Sequence, residues 1–338
     1  MSPPTDEPLL DRAASAGIHR LAIPTPFLVG RVNSYLILDE PLTLLDTGPN
    51  SGTSLDELEQ ALAAFDVRVE DLDRIVLTHQ HMDHVGLVQI IARRSGAEVA
   101  AFAPLGEWLA DYSAQAAADD EYAQAVMRRH GVPEDLSIVL GAMSAAFRSY
   151  GSVAQVTRPL AEGDVLDFRD RRWEILHRPG HSPSDTVFWD AERAMLLTGD
   201  HLLGHISSNP LIARPLGGGD PDKRPRPLLD YLASLRRTRG MPVELALPGH
   251  GEPIGDHAGL IDERMRMTER RAAKILRLLN SAGKPLSAHQ LAVQMWGNVA
   301  VSQAFLTLSE VLGHLDILSA RAAIAEDYDG ARSVFRSL

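Results

Sequence analysis

The chain has 338 residues, of which 45 are acidic, 33 are lysine or arginine and 45% are hydrophobic, and its formal net charge is −12 at pH 7. This negative balance argues against general binding to nucleic acids and other polyanions, and the length allows one large domain and a small one. The absence of cysteine excludes disulfide bonds and thiolate metal ligands. Residues 1–8 lack the basic start and apolar core of a signal peptide, and no apolar run is long enough for a membrane span. We therefore expect a cytoplasmic protein that does not contact a membrane.

The first third of the chain predicts a flexible start followed by strands and one amphipathic helix. Residues 1–16 are expected to be flexible, and apolar runs predict strands over 19–23, 34–38 and 42–45, the last of which ends at Asp46. Ser54-Leu55-Asp56-Glu57 has the form of a capping box and predicts the start of a helix. The apolar stripe of that helix should pack on the sheet and consists of Leu55, Leu58, Leu62 and Phe65.

A metal-competent loop follows the next predicted strand. The apolar run 74–77 indicates a short buried strand, and the loop 78–86 comes directly after it. Within six residues the loop carries three histidines and an aspartate: His79, His81, Asp83 and His84. Imidazole and carboxylate groups are suitable ligands for zinc. Burying four such side chains without partners would be costly, and a metal supplies the partners.

A helical insertion is predicted after the metal-competent loop. A helix over 87–94 and a strand over 98–102 precede an Ala-rich helical stretch over 105–150, in which acidic residues outnumber basic ones. The stretch is either additional helical packing or a wall of a substrate pocket, since insertions near active sites often carry specificity. Its candidate pocket residues are Trp108, Tyr112 and Met127.

Three further polar positions follow predicted strands in the second half of the chain: His181, Asp200 and His250. In α/β proteins, bound molecules and ions lie at the carboxyl ends of the strands. We therefore expect these three side chains and Asp46 to lie there beside the metal-competent loop 78–86. The loop 204–226 is rich in Gly, Pro and Ser, most densely at Gly-Gly-Gly-Asp-Pro over 217–221, and is predicted to form a rim of the pocket. Three residues in this loop or just before it either contact substrate or have structural roles: His201, His205 and Arg214.

The last 80 residues predict a small separate unit. Helices are expected over 262–280, from 287 and over 305–318, followed by strands over 322–326 and 331–335. Three helices and a hairpin resemble a winged helix. The first helix is rich in basic residues, which indicates a solvated face, a nucleic-acid contact or an interaction with an acidic substrate or partner. These residues are Arg264, Arg266, Arg270, Arg271, Lys274 and Arg277.

The order HxHxDH, single His, Asp and final His resembles the metallo-β-lactamase-fold hydrolases over residues 17–257. The resemblance implies an α/β fold, a four-layer αββα sandwich with a helical insertion over about 105–150. Within this family the sequence resembles the glyoxalase-II-like and β-lactamase-like-2 branches. The pattern of residues 258–338 is similar to the small C-terminal domain of the latter. The implied ligands of the first metal are His79, His81 and His181. Those of the second are Asp83, His84 and His250, with Asp200 bridging both and Asp46 orienting the histidines from behind.

The resemblance implies two metal ions per chain, with zinc expected and iron or manganese as alternatives because two aspartates add hard oxygen donors. Such ions would activate a bridging hydroxide for attack on a carbonyl carbon or a phosphorus, with catalytic roles for Asp83 and Asp200. The leading hypothesis is cleavage of a small thioester, lactone or other ester. One alternative is a β-lactamase-like-2-type endoribonuclease or phosphodiesterase, against which the net charge and the acidic insertion argue. A second is a non-enzymatic metal-bearing regulator. The expected partner is a small-molecule substrate; nucleic acid is disfavoured, and a homodimer is left open.

Overall fold

Short strands, many of them buried along their whole length, form two sheets that pack face to face. The computed structural model describes residues 7–216 and 224–338. The first sheet has strand order β1-β2-β3-β4-β5-β6. Its strands are β1 (Ile18–Ile23), β2 (Val32–Ile37), β3 (Thr43–Leu45), β4 (Arg74–Val76), β5 (Glu98–Phe102) and β6 (Arg158–Leu160). From β3 to β6 neighbouring strands are parallel.

The second sheet has strand order β11-β10-β9-β8-β7. Its strands are β7 (Val165–Asp167), β8 (Arg172–His177), β9 (Thr186–Asp190), β10 (Met195–Gly199) and β11 (Leu245–Pro248). β10 and β11 are parallel, and the other pairs are antiparallel. Successive side chains of a strand point to opposite faces, so Leu197 packs between the two sheets while Leu196 packs under the outer helices.

Helices cover the outer face of each sheet and complete four layers in the order αββα. The helices of the first half are α1 (Glu7–Ser15), α2 (Gly52–Ala63), α3 (Met82–Val85), α4 (Val88–Ser95), α5 (Ala103–Ala110), α6 (Tyr112–Arg129) and α7 (Glu134–Phe147). Leu58, Leu62 and Ile91 of α2 and α4 pack on the first sheet. α8 (Pro227–Arg239) packs Leu228 and Leu235 on the second. The expected α/β sandwich is thus confirmed.

The C-terminal residues form helices and a hairpin, as the sequence predicts. They are α9 (His257–Ala282), α10 (Ala288–Trp296), α11 (Val299–Ser302), α12 (Ala304–Ala320), β12 (Ile324–Tyr328) and β13 (Ser333–Ser337). Both strands begin two residues later than predicted, and Ala322, with a left-handed φ of 54°, lies between the end of α12 and the start of β12. The comparison with a winged helix, and the unit 258–338 as such, stay predictions.

The insertion connects the sandwich to the C-terminal helices. At its start, Leu105, Trp108 and Tyr112 pack in the core of the first sheet. At the end of α6, Val126 and Met127 pack instead among α9, α10 and α12. The C-terminal helices and the layers of the sandwich are therefore joined through α6 as well as through the continuous helix α9.

The structure differs from the sequence predictions at two local points. Within the segment 1–16, helix α1 covers Glu7–Ser15, buries Ala13 and donates a hydrogen bond from Arg12 to Glu244, while the flexible N-terminus stays a prediction. The cap of α2 is Ser51, whose hydroxyl accepts the Ser54 amide, so the helix begins before the predicted capping box. The predicted rim residues 217–221 lie outside the described ranges. None of the described helices combines the length and apolar character needed to cross a bilayer.

Candidate metal centre and cleft

The predicted metal ligands all meet at one edge of the two sheets. Asp46 and His79 follow the parallel strands β3 and β4, whereas Asp200 and His250 follow β10 and β11. The one-turn helix α3 adds Asp83 and His84, and the loop between β8 and β9 adds His181. Parallel strands bring their carboxyl ends together, which explains how ligand atoms of residues so distant in sequence form groups whose members lie within 4.8 Å of one another.

Three histidines form the first donor group. His81 Nδ1 lies 3.0 Å from His79 Nε2 and 2.9 Å from His181 Nε2. Neighbouring nitrogens of a tetrahedral zinc site are about 3.3 Å apart, given Zn–N bonds of about 2.0–2.1 Å. The three ring nitrogens thus have nearly the spacing that such an ion requires.

The second donor group adds carboxylates. His250 Nε2 lies 3.3 Å from Asp83 Oδ2, and His84 Nε2 lies 3.5 Å from Asp200 Oδ1. The other oxygen of Asp200, Oδ2, lies 3.6 Å from His250 Nε2 and 3.5 Å from His181 Nε2. Asp200 therefore faces both donor groups, as expected of a bridging carboxylate.

A hydrogen-bond chain through Asp46 sets the tautomers of two histidines. Asp46 Oδ2 accepts from His84 Nδ1 at 2.7 Å and from the Thr78 hydroxyl at 2.8 Å. The same hydroxyl accepts from His79 Nδ1 at 2.9 Å, and Asp46 Oδ1 accepts the Thr78 amide at 2.9 Å. With both Nδ1 atoms acting as donors, the Nε2 lone pairs of His79 and His84 point into the site.

The last histidine is oriented by contacts between the two sheets. His250 Nδ1 donates to the Arg31 carbonyl oxygen at 2.8 Å, which leaves its Nε2 free. Asn33 Nδ2 donates to the carbonyl oxygens of Pro248 and Gly251 at 2.9 and 2.8 Å. At Gly249, a β-carbon would overlap Asp200 Oδ1 and come within 2.8 Å of His84 Cε1. The Gly-His-Gly turn is thus needed for the close approach of the ligands.

The charges of the site favour cation binding. Burial and neighbouring histidines lower the pKa of His79 well below its ordinary value and that of His81 to about 3, so both rings are neutral at pH 7. Burial opposes protonation of His84, but the carboxylates around it raise its pKa well above its ordinary range.

Among the candidate metal-ligand atoms, three are buried without a hydrogen-bond partner: His84 Nε2, His250 Nε2 and Asp200 Oδ1. Leaving such atoms unpaired is costly, and ligands bind metals in their deprotonated form. The donor set therefore fits a metal ion bound in place of the proton on His84.

The two donor groups lie at one side of a mostly apolar cleft of about 590 Å³. Part of its wall comes from the insertion, with Trp108 and Tyr112. Further wall residues come from the loops after β1 and β10 and from α12: Phe27, Val29, Leu203, Ile206, Leu211, Ile212, Phe305 and Leu306. The insertion therefore lines the cleft, as its interpretation as a pocket wall requires, and its role in substrate binding stays a prediction.

The arginines of the cleft are paired with carboxylates of the insertion. Arg214 Nε donates to Asp119 Oδ1 at 2.9 Å, and the other oxygen of Asp119 accepts from Trp108 Nε1 at 2.9 Å. Arg148 donates to Asp120 at 2.6 Å. In these pairs the positive charges of Arg214 and Arg148 are neutralised by carboxylates of the insertion.

Some predicted contacts lie elsewhere. Met127 is buried against the C-terminal helices, and His201 is buried with Nε2 on the Thr238 hydroxyl at 2.9 Å, so neither lines the cleft. Exposed His205 is also absent from the lining, whereas Arg214 belongs to it. Sequence reasoning missed Phe305 and Leu306 because their contact with the cleft depends on the docking of the C-terminal helices. The apolar stripe of a helix does not identify its neighbour.

Comparisons with known proteins agree with this geometry. The family model described as the Metallo-beta-lactamase superfamily matches residues 28–250. The chain is 33% identical over 318 residues, or 94% of this chain and 97% of the other, to the "Probable metallo-hydrolase YqjP" of Bacillus subtilis. It is 28% identical over 149 residues, 44% of this chain and 41% of the relative, to the "Atrochrysone carboxyl ACP thioesterase" of Aspergillus terreus. Among solved structures, the metallo-beta-lactamase family protein TTHA1429 of Thermus thermophilus has a TM-score of 0.79 at 26% identity, covering 95% of this chain and 99% of that one.

Proposed function

Since the chain belongs to the metallo-β-lactamase superfamily and is a hydrolase, we propose that it uses two metal ions to cleave a thioester or related ester with an uncharged acyl group. The observation that carries the proposal is the juxtaposition of two donor groups that share Asp200, beside a mostly apolar cleft. Zinc is the proposed metal, because imidazole nitrogens predominate among the donors.

The proposed metal ligands are the seven side chains already described. His79, His81 and His181 would hold one ion, and Asp83, His84 and His250 would hold the other, with Asp200 shared. Bound metal ions would supply an activated water and would polarise the carbonyl oxygen of the substrate.

The protein's own groups prepare that chemistry. Asp46 and Thr78 hold two imidazoles in the tautomer that presents Nε2, and the Arg31 carbonyl oxygen does the same for His250. Asp83 lies at the edge of the cleft with Oδ2 near His250 and is placed to accept or return a proton. In the net reaction the water oxygen bonds to the carbonyl carbon, the C–S or C–O bond breaks, and the leaving thiol or alcohol takes a proton.

The cleft favours an uncharged acyl group over a polyanion. The arginines described in its lining are already paired with Asp119 and Asp120, and phosphate recognition needs cations that are free to bind it. The relative from Aspergillus terreus is named a thioesterase acting on an acyl carrier protein substrate, which supports cleavage of thioesters by this chain. The ribonuclease alternative is disfavoured, because the described arginines of the lining are already paired with carboxylates.

The test combines metal analysis with an assay of acyl thioesters. We expect about two zinc ions per chain and thioester hydrolysis that is lost with a chelator and restored by zinc. Asp200→Asn should reduce kcat/KM by at least two orders of magnitude and lower the bound zinc.

Asp185→Asn is the matched control, since Asp185 is a buried aspartate on the loop of His181 whose carboxylate accepts the Ser182 amide at 2.8 Å. It should keep its zinc. Absence of zinc, or RNA cleavage that weakens steeply with salt in the absence of any ester turnover, would refute the proposal.

A further inference from the structure

Helix α12 contributes side chains to the cleft although it lies in the C-terminal part of the chain. Phe305 and Leu306, in its first turn, line the same cleft as the ligand candidates His81 and Asp83. Leu306 remains 39% exposed. An apolar side chain that is exposed within a cleft is available to contact an apolar ligand.

The loop that forms an adjoining part of the wall is fastened to α12. Asn209 Nδ2 donates to the Leu306 carbonyl oxygen at 3.2 Å, and the Ile212 amide donates to the Ser309 hydroxyl at 3.3 Å. Farther along, Arg224 donates to Asp316 Oδ2 at 3.0 Å. The apolar side chains of this loop, including Leu211 and Ile212, are thereby held in one arrangement with Phe305 and Leu306.

The chemical character of the wall defines what it can recognise. Near α12 the lining is apolar, with Ile206 of the loop 40% exposed. The arginines of the lining are paired with carboxylates. Such a surface stabilises methylene or aromatic groups, and among the described residues its arginines are not free to bind a carboxylate or phosphate.

We propose that α12, through Phe305 and Leu306, selects the acyl group and favours a long or bulky apolar one. The inference rests on the proposed function, in which the carbonyl of that group lies at the seven-ligand cluster. It makes the C-terminal helices, as well as the insertion, part of the substrate site.

The experiment compares acyl thioesters of N-acetylcysteamine that carry butyryl and decanoyl groups. Each methylene removed from water corresponds to about a fourfold gain in affinity. Phe305→Ala and Leu306→Ala should each lower the decanoyl-to-butyryl ratio of kcat/KM about tenfold or more, while zinc content stays unchanged. Leu306→Trp should lower the same ratio by filling the cleft.

Val301→Ala is the matched control, since Val301 is an apolar residue of neighbouring α11, 44% exposed, that does not line the cleft. It should leave the ratio unchanged. Because Phe305 also packs on the C-terminal core, the more exposed Leu306 keeps the test valid if Phe305→Ala does not fold.

A binding measurement separates this inference from the proposed function. The decanoyl amide analogue, in which nitrogen replaces the thioester sulfur, is titrated calorimetrically into wild type and Leu306→Ala. Binding that weakens about tenfold in the variant supports the role of α12 even if no thioester is turned over, an outcome that would refute the proposed function alone. Unchanged binding and an unchanged ratio of rates in both Leu306 variants would refute the role of α12.

Discussion

Replacing Asp46 by asparagine tests whether this residue prepares the metal centre. The Asp46 carboxylate is buried and accepts three hydrogen bonds, two from Thr78 and one from His84. In Asp46→Asn the amide oxygen can still accept the Thr78 amide, but the NH2 group takes the place of Oδ2. His84 Nδ1 must then become an acceptor, which places its proton on the Nε2 atom that should bind the metal.

The expected effect is a loss of metal affinity of about 10–100-fold, the usual cost of removing an orienting partner of a ligand histidine. The backbone should not add to this loss. Asp46 has a left-handed φ of 56°, and asparagine tolerates that conformation well. Asp46→Ala would add backbone strain and unpaired buried donors, so asparagine is the cleaner substitution.

The measurement is a zinc competition titration with a chromophoric chelator, supported by the unfolding temperature of the metal-free protein. Asp66→Asn is the matched control, because Asp66 is exposed and has nearly the same φ of 57°. A zinc affinity of Asp46→Asn within twofold of the wild-type and Asp66→Asn values would refute the orienting role of Asp46.

Two further predictions concern a glycine of the site and a buried histidine outside it. Gly249→Ala should lose most of its zinc in elemental analysis, because a β-carbon would overlap Asp200 Oδ1, whereas Gly96→Ala, with open space around its β-carbon, should keep it. Burial, with help from Arg224 and Arg129, lowers the pKa of His130 to about 3. The unfolded chain therefore binds a proton near pH 6.5 that the folded chain refuses, and the free energy of unfolding falls as the pH drops from 6.5 toward 3, by up to about 1.4 kcal/mol per pH unit. Denaturant titrations should show a shallower decline for His130→Phe, and identical slopes for the two proteins would contradict this.

The metal-competent residues could be predicted because they follow short apolar strands and because four of them form one compact motif. His79, His81, Asp83 and His84 are local to one loop, and the order of the remaining ligands supplied a family resemblance. The orienting role of Thr78 could not be predicted. It depends on β3 and β4 lying side by side, which brings Thr78 next to Asp46.

The cleft was less predictable than the metal centre, for a physical reason. Periodicity identifies the apolar face of a helix but not the neighbour that covers it. Trp108 and Met127 belong to the same helical insertion, yet Trp108 lines the cleft and Met127 is buried among the C-terminal helices. The same limit applies to Phe305, which lies far from the metal ligands in sequence and reaches the cleft only through the packing of α12.

Packing also determines which experiment can separate stability from selectivity. Removing residues 261–338 would delete Phe305 and Leu306 from the cleft and would also uncover Met127 and Ile212, which are buried against the C-terminal helices. A truncated chain that lost activity would therefore not reveal whether it had lost a substrate contact or a folded wall. Substitutions at the partly exposed Leu306 avoid this ambiguity, since they change the surface of the cleft while the C-terminal core stays packed. Under the proposal, α12 carries both selectivity and assembly, and Leu306 separates the two where Phe305, which also packs on the C-terminal core, does not.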